Sequence, residues 1–212
     1  MNYVGKKNLG KSFLTAGLPL FIILLFLLFP FYWTFVTSVK PESELYGPVT
    51  YWPQTFTWDS YKKLFGEFNF LQPMGNSLLV AVITTIVTLT VATLAAYAFT
   101  RFEFRGRKGL MVMFLTNNMF PTVLLMIPLY SIMRTLGILY TPLALIVSYT
   151  TFTIPFTVWL LNGYISDLPM SLEEAAMVDG CNRAQAFLKI ILPVLVPCLI
   201  STGVYIFMQS WN

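Results

Sequence analysis

The stretch SFLTAGLPLFIILLFLLFPFYWTFVTSV, from Ser12 to Val39, decides the class of fold. It runs for about 28 residues without a charged side chain, where about 20 apolar residues suffice for a helix to cross a bilayer. About fourteen Leu, Ile, Phe and Val residues between Leu18 and Val36 each favour insertion by roughly 0.3–0.6 kcal/mol. Their sum, on the order of −6 kcal/mol, exceeds the cost of Pro19, Pro30 and the few polar groups. A secretory leader would be shorter and would end at small residues. This core runs instead into Phe31-Tyr32-Trp33 and reads as a retained anchor.

Working outward, the remaining chain repeats the pattern. Of 212 residues 57% are hydrophobic and only 10% are charged. A soluble domain carries about 25% charged residues, so a disordered chain, a nucleic-acid binder and an ordinary cytosolic enzyme are all excluded. Five stretches, at about 13–36, 77–100, 109–133, 141–165 and 190–211, have the length and polarity of spanning helices. They are too long for strands and lack the alternation of a membrane barrel. The expected fold is all-α, a polytopic membrane helical bundle forming a single domain over 1–212.

Orientation follows from the basic residues of the short loops. Lys6, Lys7, Lys11, Arg101, Arg105, Arg107, Lys108, Arg183 and Lys189 fall on one side; Lys40, Lys62, Lys63 and Arg134 fall on the other. The first side is cytoplasmic, with the N-terminus, and the formal charge of +4 faces anionic headgroups rather than nucleic acid. The segment 40–75 then lies outside. Its Pro41, Pro48, Pro53 and Pro73, with Tyr46, Tyr51, Trp52, Phe56, Trp58 and Tyr61, predict a compact cap on the membrane surface. Five crossings put the C-terminus outside, yet Trp211-Asn212 follows the last apolar run with no turn or basic residue. The expectation is a chain cut short inside its fifth helix.

Several catalytic chemistries drop out. Gly5-Lys6-Lys7-Asn8-Leu9-Gly10-Lys11-Ser12 fits the phosphate-loop pattern, but no strand precedes it and a membrane span follows, so its lysines serve orientation. There is no histidine, which removes His-based acid–base chemistry and HExxH zinc sites. Cys181 and Cys198 fall in a cytoplasmic segment and in a span, so neither a disulfide nor a cysteine metal site is expected. All nine carboxylates fall in loops. An ion-coupled transporter keeps an ionisable residue within the membrane. If this chain moves something, the energy comes from elsewhere.

The segment after the fourth span reads Asp167-Leu168-Pro169-Met170-Ser171-Leu172-Glu173-Glu174-Ala175-Ala176-Met177-Val178-Asp179-Gly180-Cys181-Asn182-Arg183. It predicts a short surface helix, with Ser171 and Glu174 as a capping box. Leu172, Ala175, Ala176 and Asp179 fall on one face. Gly180 suits a left-handed stop, and Asn182 with Gln185 a second N-cap. Taken alone, such a helix tidies a loop in many membrane proteins.

The spacing carries more. Glu174-Ala175-Ala176, three residues, Gly180, nine residues, Ile190, one residue, then Leu192-Pro193 resembles the EAA loop of ATP-binding-cassette (ABC) importer permeases at every position. Ser38-Val39-Lys40, Trp52-Pro53, Asn76-Ser77, Pro128-Leu129-Tyr130, Leu168-Pro169, Asp179-Gly180 and Trp211-Asn212 resemble its carbohydrate branch, nearest to MalG-like permeases. The resemblance implies six spans, so the expectation is that the rest of the fifth and the whole of the sixth lie beyond Asn212. The resemblance implies the MetI-like architecture with a cytoplasmic EAA loop over 166–189 that carries the coupling helix, in a prokaryotic plasma or inner membrane.

It also implies partners: a second homologous permease, two cytoplasmic ABC ATPase subunits and an extracytoplasmic sugar-binding protein. No catalytic residue and no cofactor of the chain's own is implied, ATP being bound by the ATPase subunits. Carried over, Glu174 would pair with a basic group of the ATPase, Ala175 and Ala176 would allow close docking, Gly180 would set the turn after Asp179, and Ile190, Leu192 and Pro193 would complete the motif. The runners-up are a permease of the same superfamily for peptides or amino acids, and a non-transporting membrane scaffold. Asn117 and Asn118, expected deep in the third span, are candidates for the substrate pathway or for interhelical hydrogen bonds, as are Tyr149, Thr151, Thr153 and Asn162. Under the permease reading, Gly180→Pro or Ala176→Trp abolishes ATPase co-purification and transport while membrane insertion persists.

Overall fold

A computed structural model describes residues 17–211; the basic tail with Lys6, Lys7 and Lys11, the phosphate-loop match and the start of the first predicted span lie outside the described residues. The described residues fall into two compact units, divided between Gln72 and Pro73. Every regular element among the described residues is helical.

In the first unit, α1 (Leu18–Ser38) is apolar on all sides and exposed along nearly its whole length, as lipid contact requires. Its last turns lead into α2 (Glu42–Leu45) and α3 (Asp59–Lys62), the latter continued by a widened turn over Lys63–Glu67. One buried lysine ties this segment together. Lys40, 3% exposed, donates to the Thr50 carbonyl (2.5 Å) and hydroxyl oxygen (2.8 Å) and lies 5.5 Å from the centre of the Trp33 ring. Glu44, 3.7 Å from Lys40 Nζ, accepts from the Thr50 hydroxyl (2.7 Å) and from the Gln54 amide (3.2 Å). Thr57 N–H donates to Val39 O at 2.9 Å, and the hydroxyls of Ser38 and Tyr61 are 2.8 Å apart.

The second unit takes in all but the first two residues of α4 (Leu71–Arg101), whose 31 residues extend about 46 Å. This helix starts before the predicted position 77 because Pro73 falls in its first turn, where a missing N–H costs nothing. Next come α5 (Arg107–Asn117), α6 (Thr122–Thr135), α7 (Pro142–Ser166) and α8 (Ser171–Val178). The last is α9 (Arg183–Ala186), which continues through a widened turn (Phe187–Ile191) into α10 (Leu192–Trp211). That widened turn comes immediately before the start of α10, where Pro193 cannot donate to the preceding turn.

The third predicted span, 109–133, is not one helix. α5 and α6 meet at 104° across Asn118–Pro121. Pro121 has no N–H and disfavours helical geometry at Phe120, while Asn118 Nδ2 donates back to Phe114 O at 2.9 Å and closes α5. Among the described residues four helices are long and apolar enough to cross a bilayer, with the bent pair as a fifth if it makes one crossing.

Packing in this unit depends on small side chains. Lipid is as apolar as leucine, so helices associate through close contact and interhelical hydrogen bonds. On α4, Ala81, Thr84, Thr88, Ala92 and Ala96 form a buried stripe. On α10, a Cβ added to Gly203 would come within 3.2 Å of Leu89 Cδ1. Thr88 and Thr153 share a hydrogen bond (3.1 Å), and the Thr100 hydroxyl donates to Asn162 Oδ1 (3.0 Å), so Asn162 joins α7 to α4. The core lies where α4, α7 and the α9–α10 helix converge, around Ala92, Ala96, Tyr97, Leu161, Ile165, Phe187 and Ile191.

The Thr50 hydroxyl, with the Gln54 and Thr55 amides and Lys40 behind it, holds the Glu44 carboxyl below its ordinary value of 4.5. Its contribution to the folded segment is therefore complete above 4.5 and lost as pH falls through the lower folded value. Trp52 fluorescence of the detergent-solubilised protein should stay constant from neutrality to about pH 5 and change only as pH falls through the lowered Glu44 value, and Glu44→Gln should abolish that transition.

Candidate coupling helix and cavity

α8 is held by one face. Its first turn carries Glu173 and Glu174, favourable at a helix N-terminus, and of its residues only Glu173 and Ala176 are buried, each 7% exposed. Ser171 is the first helical residue rather than the cap. Pro169 and Met170 already turn the chain, with Glu173 and Glu174 N–H both donating to Met170 O, so the predicted Ser171–Glu174 capping box does not form.

Glu173 is fully engaged. Oε1 accepts from Arg101 Nε at 2.5 Å, and Oε2 accepts from the Tyr97 hydroxyl at 2.7 Å. Arg101 Nη2 donates to Leu168 O at 3.0 Å, just past the end of α7. The side chains of Arg101 and Glu173 are 5% and 9% exposed. Tyr97 and Arg101 stand one helical turn apart at the end of α4, which makes them one binding face. The Tyr97 ring packs against Phe187, with centroids 4.6 Å apart, and Arg183 lies 5.4 Å from the centre of Phe102.

α8 ends as Gly180 predicts. Gly180 has φ +90°, Cys181 N–H reaches Ala176 O (3.0 Å) and Gly180 N–H reaches Met177 O (3.1 Å), a paired closure that needs a left-handed residue. Two residues later Asn182 and Gln185 form the predicted reciprocal cap, both bonds 2.9 Å. The elbow between α8 and α9 is thus fixed on both sides.

The motif residues divide accordingly. Glu174, Ala175 and Asp179 are exposed, and so are Leu172 and Val178. Ala176 is turned into its own bundle, a correction to the expectation that it shares a free face with Ala175. Ala176→Trp therefore disrupts the seat of α8 instead of reporting on docking. Ile190 and Leu192 are half-buried, Leu192 against the core, and Pro193 is exposed. Glu173 was missed because it was counted among loop carboxylates. The signal available was Tyr97 with Arg101, one turn apart at the end of an apolar span.

At the other ends of the same helices lies a cavity of about 1110 Å³. Its walls come from the start of α4 (Asn76, Ser77), from α6 (Thr122, Met126, Tyr130), from the first half of α7 (Ser148, Tyr149, Phe152, Thr153) and from the end of α10 (Gln209, Ser210, Trp211). Among the described residues, no charged side chain lines it. Tyr149 and Thr153 are lining residues. Asn117, Asn118, Thr151 and Asn162 are not; Asn117 ends α5 and Asn118 opens the break between α5 and α6. Ser77 and Arg101 are about 36 Å apart along α4, so the cavity and α8 are joined by continuous helix.

Residues 88–212 match the family described as binding-protein-dependent transport system inner membrane component. The diacetylchitobiose uptake system permease protein of Streptomyces coelicolor is 36% identical over 192 residues, 90% of this chain and 70% of that protein. An inner membrane ABC transporter permease protein of Escherichia coli is 39% identical, over 98% of this chain and 74% of its own length. The trehalose/maltose transport system permease protein of Thermococcus litoralis is 35% identical, over 87% of this chain and 67% of its own. In three dimensions the chain is similar to a subunit in the crystal structure of a bacterial ABC transporter involved in the import of the acidic polysaccharide alginate. The TM-score is 0.82 at 22% identity, and the match covers 100% of this chain and 74% of that one. The all-α fold is that of an ABC importer permease, and the chain belongs to the family of binding-protein-dependent transport system inner membrane components.

Proposed function

We propose that the chain is the transmembrane permease subunit of an ATP-driven importer for a carbohydrate, a mono- or oligosaccharide. The observation that carries this reading is a helix seated by one face at one end of a bundle whose other end is hollow. α8 uses Glu173 and Ala176 to hold its own chain and leaves Glu174, Ala175 and Asp179 free for a partner. One of the two ABC ATPase subunits docks there on the cytoplasmic side, Glu174 meeting a basic group and Ala175 permitting close approach. A second homologous permease completes the pathway, and an extracytoplasmic sugar-binding protein delivers the cargo. The N-terminus is cytoplasmic, on the side of Arg105, Arg107 and Lys108. The chain has no catalytic residue or cofactor of its own, and its part is alternating access.

The cavity lining supports a neutral polyhydroxyl cargo. Asn76, Ser148, Thr153 and Gln209 supply uncharged donors and acceptors, while Tyr130, Tyr149 and Trp211 supply flat apolar faces. The termini of a peptide or amino acid would find no opposite charge there. Such a lining also leaves Asn117 and Asn118 as residues at the break rather than of the pathway.

With the chain co-expressed beside its partners, Glu174→Lys and Ala175→Trp should abolish ATPase co-purification while alkali-resistant membrane association remains. Tyr149→Ala should keep the assembly and lower uptake of radiolabelled trehalose, maltose or diacetylchitobiose, whichever the parent transports, by about tenfold. Undiminished ATPase recovery with both α8 variants would overturn the reading.

A further inference from the structure

We propose that Arg101, Glu173 and Tyr97 form a rigid joint through which α8 moves the end of α4, so that they act as positioning residues for transport. The inference rests on α8 being the helix that receives the ATPase. A docked helix transmits motion only if it cannot slide or rotate on the bundle it is meant to move. α8 is eight residues long, too short to be stable alone, and it contributes only two buried side chains. Apolar packing of one alanine does not fix its rotation. Glu173 does, because both of its oxygens are engaged by one face of α4, in different directions.

Three separate paths meet at this carboxylate. Arg101 Nε at 2.5 Å and the Tyr97 hydroxyl at 2.7 Å bring in α4. Arg101 Nη2 to Leu168 O at 3.0 Å brings in the end of α7. The Tyr97 ring, 4.6 Å from Phe187, brings in the widened turn that opens the last helix. All three elements run on to line the distant cavity. A displacement of α8 is thereby delivered to three helices together, while Glu174, the neighbouring carboxylate, stays exposed on the outer side. The two adjacent glutamates divide the labour: one faces the bundle and the other faces away from it.

The test uses the assembled importer in lipid nanodiscs, with Cys181→Ser and Cys198→Ser and a single reporter, Ser148→Cys, in the cavity. The readout is the change in labelling rate by a membrane-impermeant maleimide on adding ATP and magnesium, which needs no knowledge of the sugar. Glu173→Gln should keep the ATPase subunits bound and reduce the ATP-dependent change about tenfold, and Tyr97→Phe, which removes one hydroxyl, about threefold. The exchange Arg101→Glu with Glu173→Arg should recover most of the response, which a loss of general packing would not allow. An assembled Glu173→Gln importer with the parental response overturns the joint. If Glu173→Gln does not assemble, a parental response in Tyr97→Phe overturns it instead. Failure of the parent chain to retain an ATPase would sink the permease reading itself, a result separable from the first two.

Discussion

A buried charge is costly unless it is paired and its remaining bonding capacity is met, and the Arg101–Glu173 pair meets both conditions at the place where four segments converge. Glu173 leaves no oxygen idle, and Arg101 spends a second nitrogen on the Leu168 carbonyl. Removing one partner of such a pair costs about 3–5 kcal/mol, because the other charge stays buried. Two isolated apolar residues in the same places would fill the space without fixing a direction. The end of α4, the exit from α7, the seat of α8 and the entry to the last helix all meet around this contact.

Around it, the unit is assembled from modest terms. Interhelical hydrogen bonds such as Thr88–Thr153 and Thr100–Asn162 are worth about 0.6 kcal/mol each in a membrane. Their value lies in the close approach that Ala92, Ala96 and Gly203 permit. Small residues therefore hold the middle of the bundle, and charged and aromatic residues hold the end that bears α8. The unit containing α1 uses the same logic on a smaller scale, with Lys40 buried among Thr50, Glu44 and Trp33.

Much of this was legible in the amino-acid order, and the failures have physical causes. Apolar length located the helices because it is set by bilayer thickness. Gly180 and the Asn182–Gln185 pair were readable because left-handed geometry and reciprocal capping are local properties. Ser171 misled because capping depends on where the helix begins, and Pro169 starts the turn earlier. The break at Pro121 was hidden by a hydropathy that does not fall there: a window averaging apolarity registers composition and not direction. Glu173 lay beyond local reading altogether, since its partners are 72 and 76 residues away. The cavity lining, too, is assembled from segments far apart in the chain, so Tyr149 and Thr153 could be singled out but not distinguished from Asn117 and Asn118.

The unbroken run of α4 has a mechanical corollary. Over the roughly 36 Å of helix between Arg101 and Ser77, a tilt of about 5° displaces one end relative to the other by about 3 Å. That displacement equals the whole length of a hydrogen bond. A tilt too small to disturb the bonds around Glu173 is thus magnified, by length alone, into a displacement of that size at the cavity wall beside Asn76.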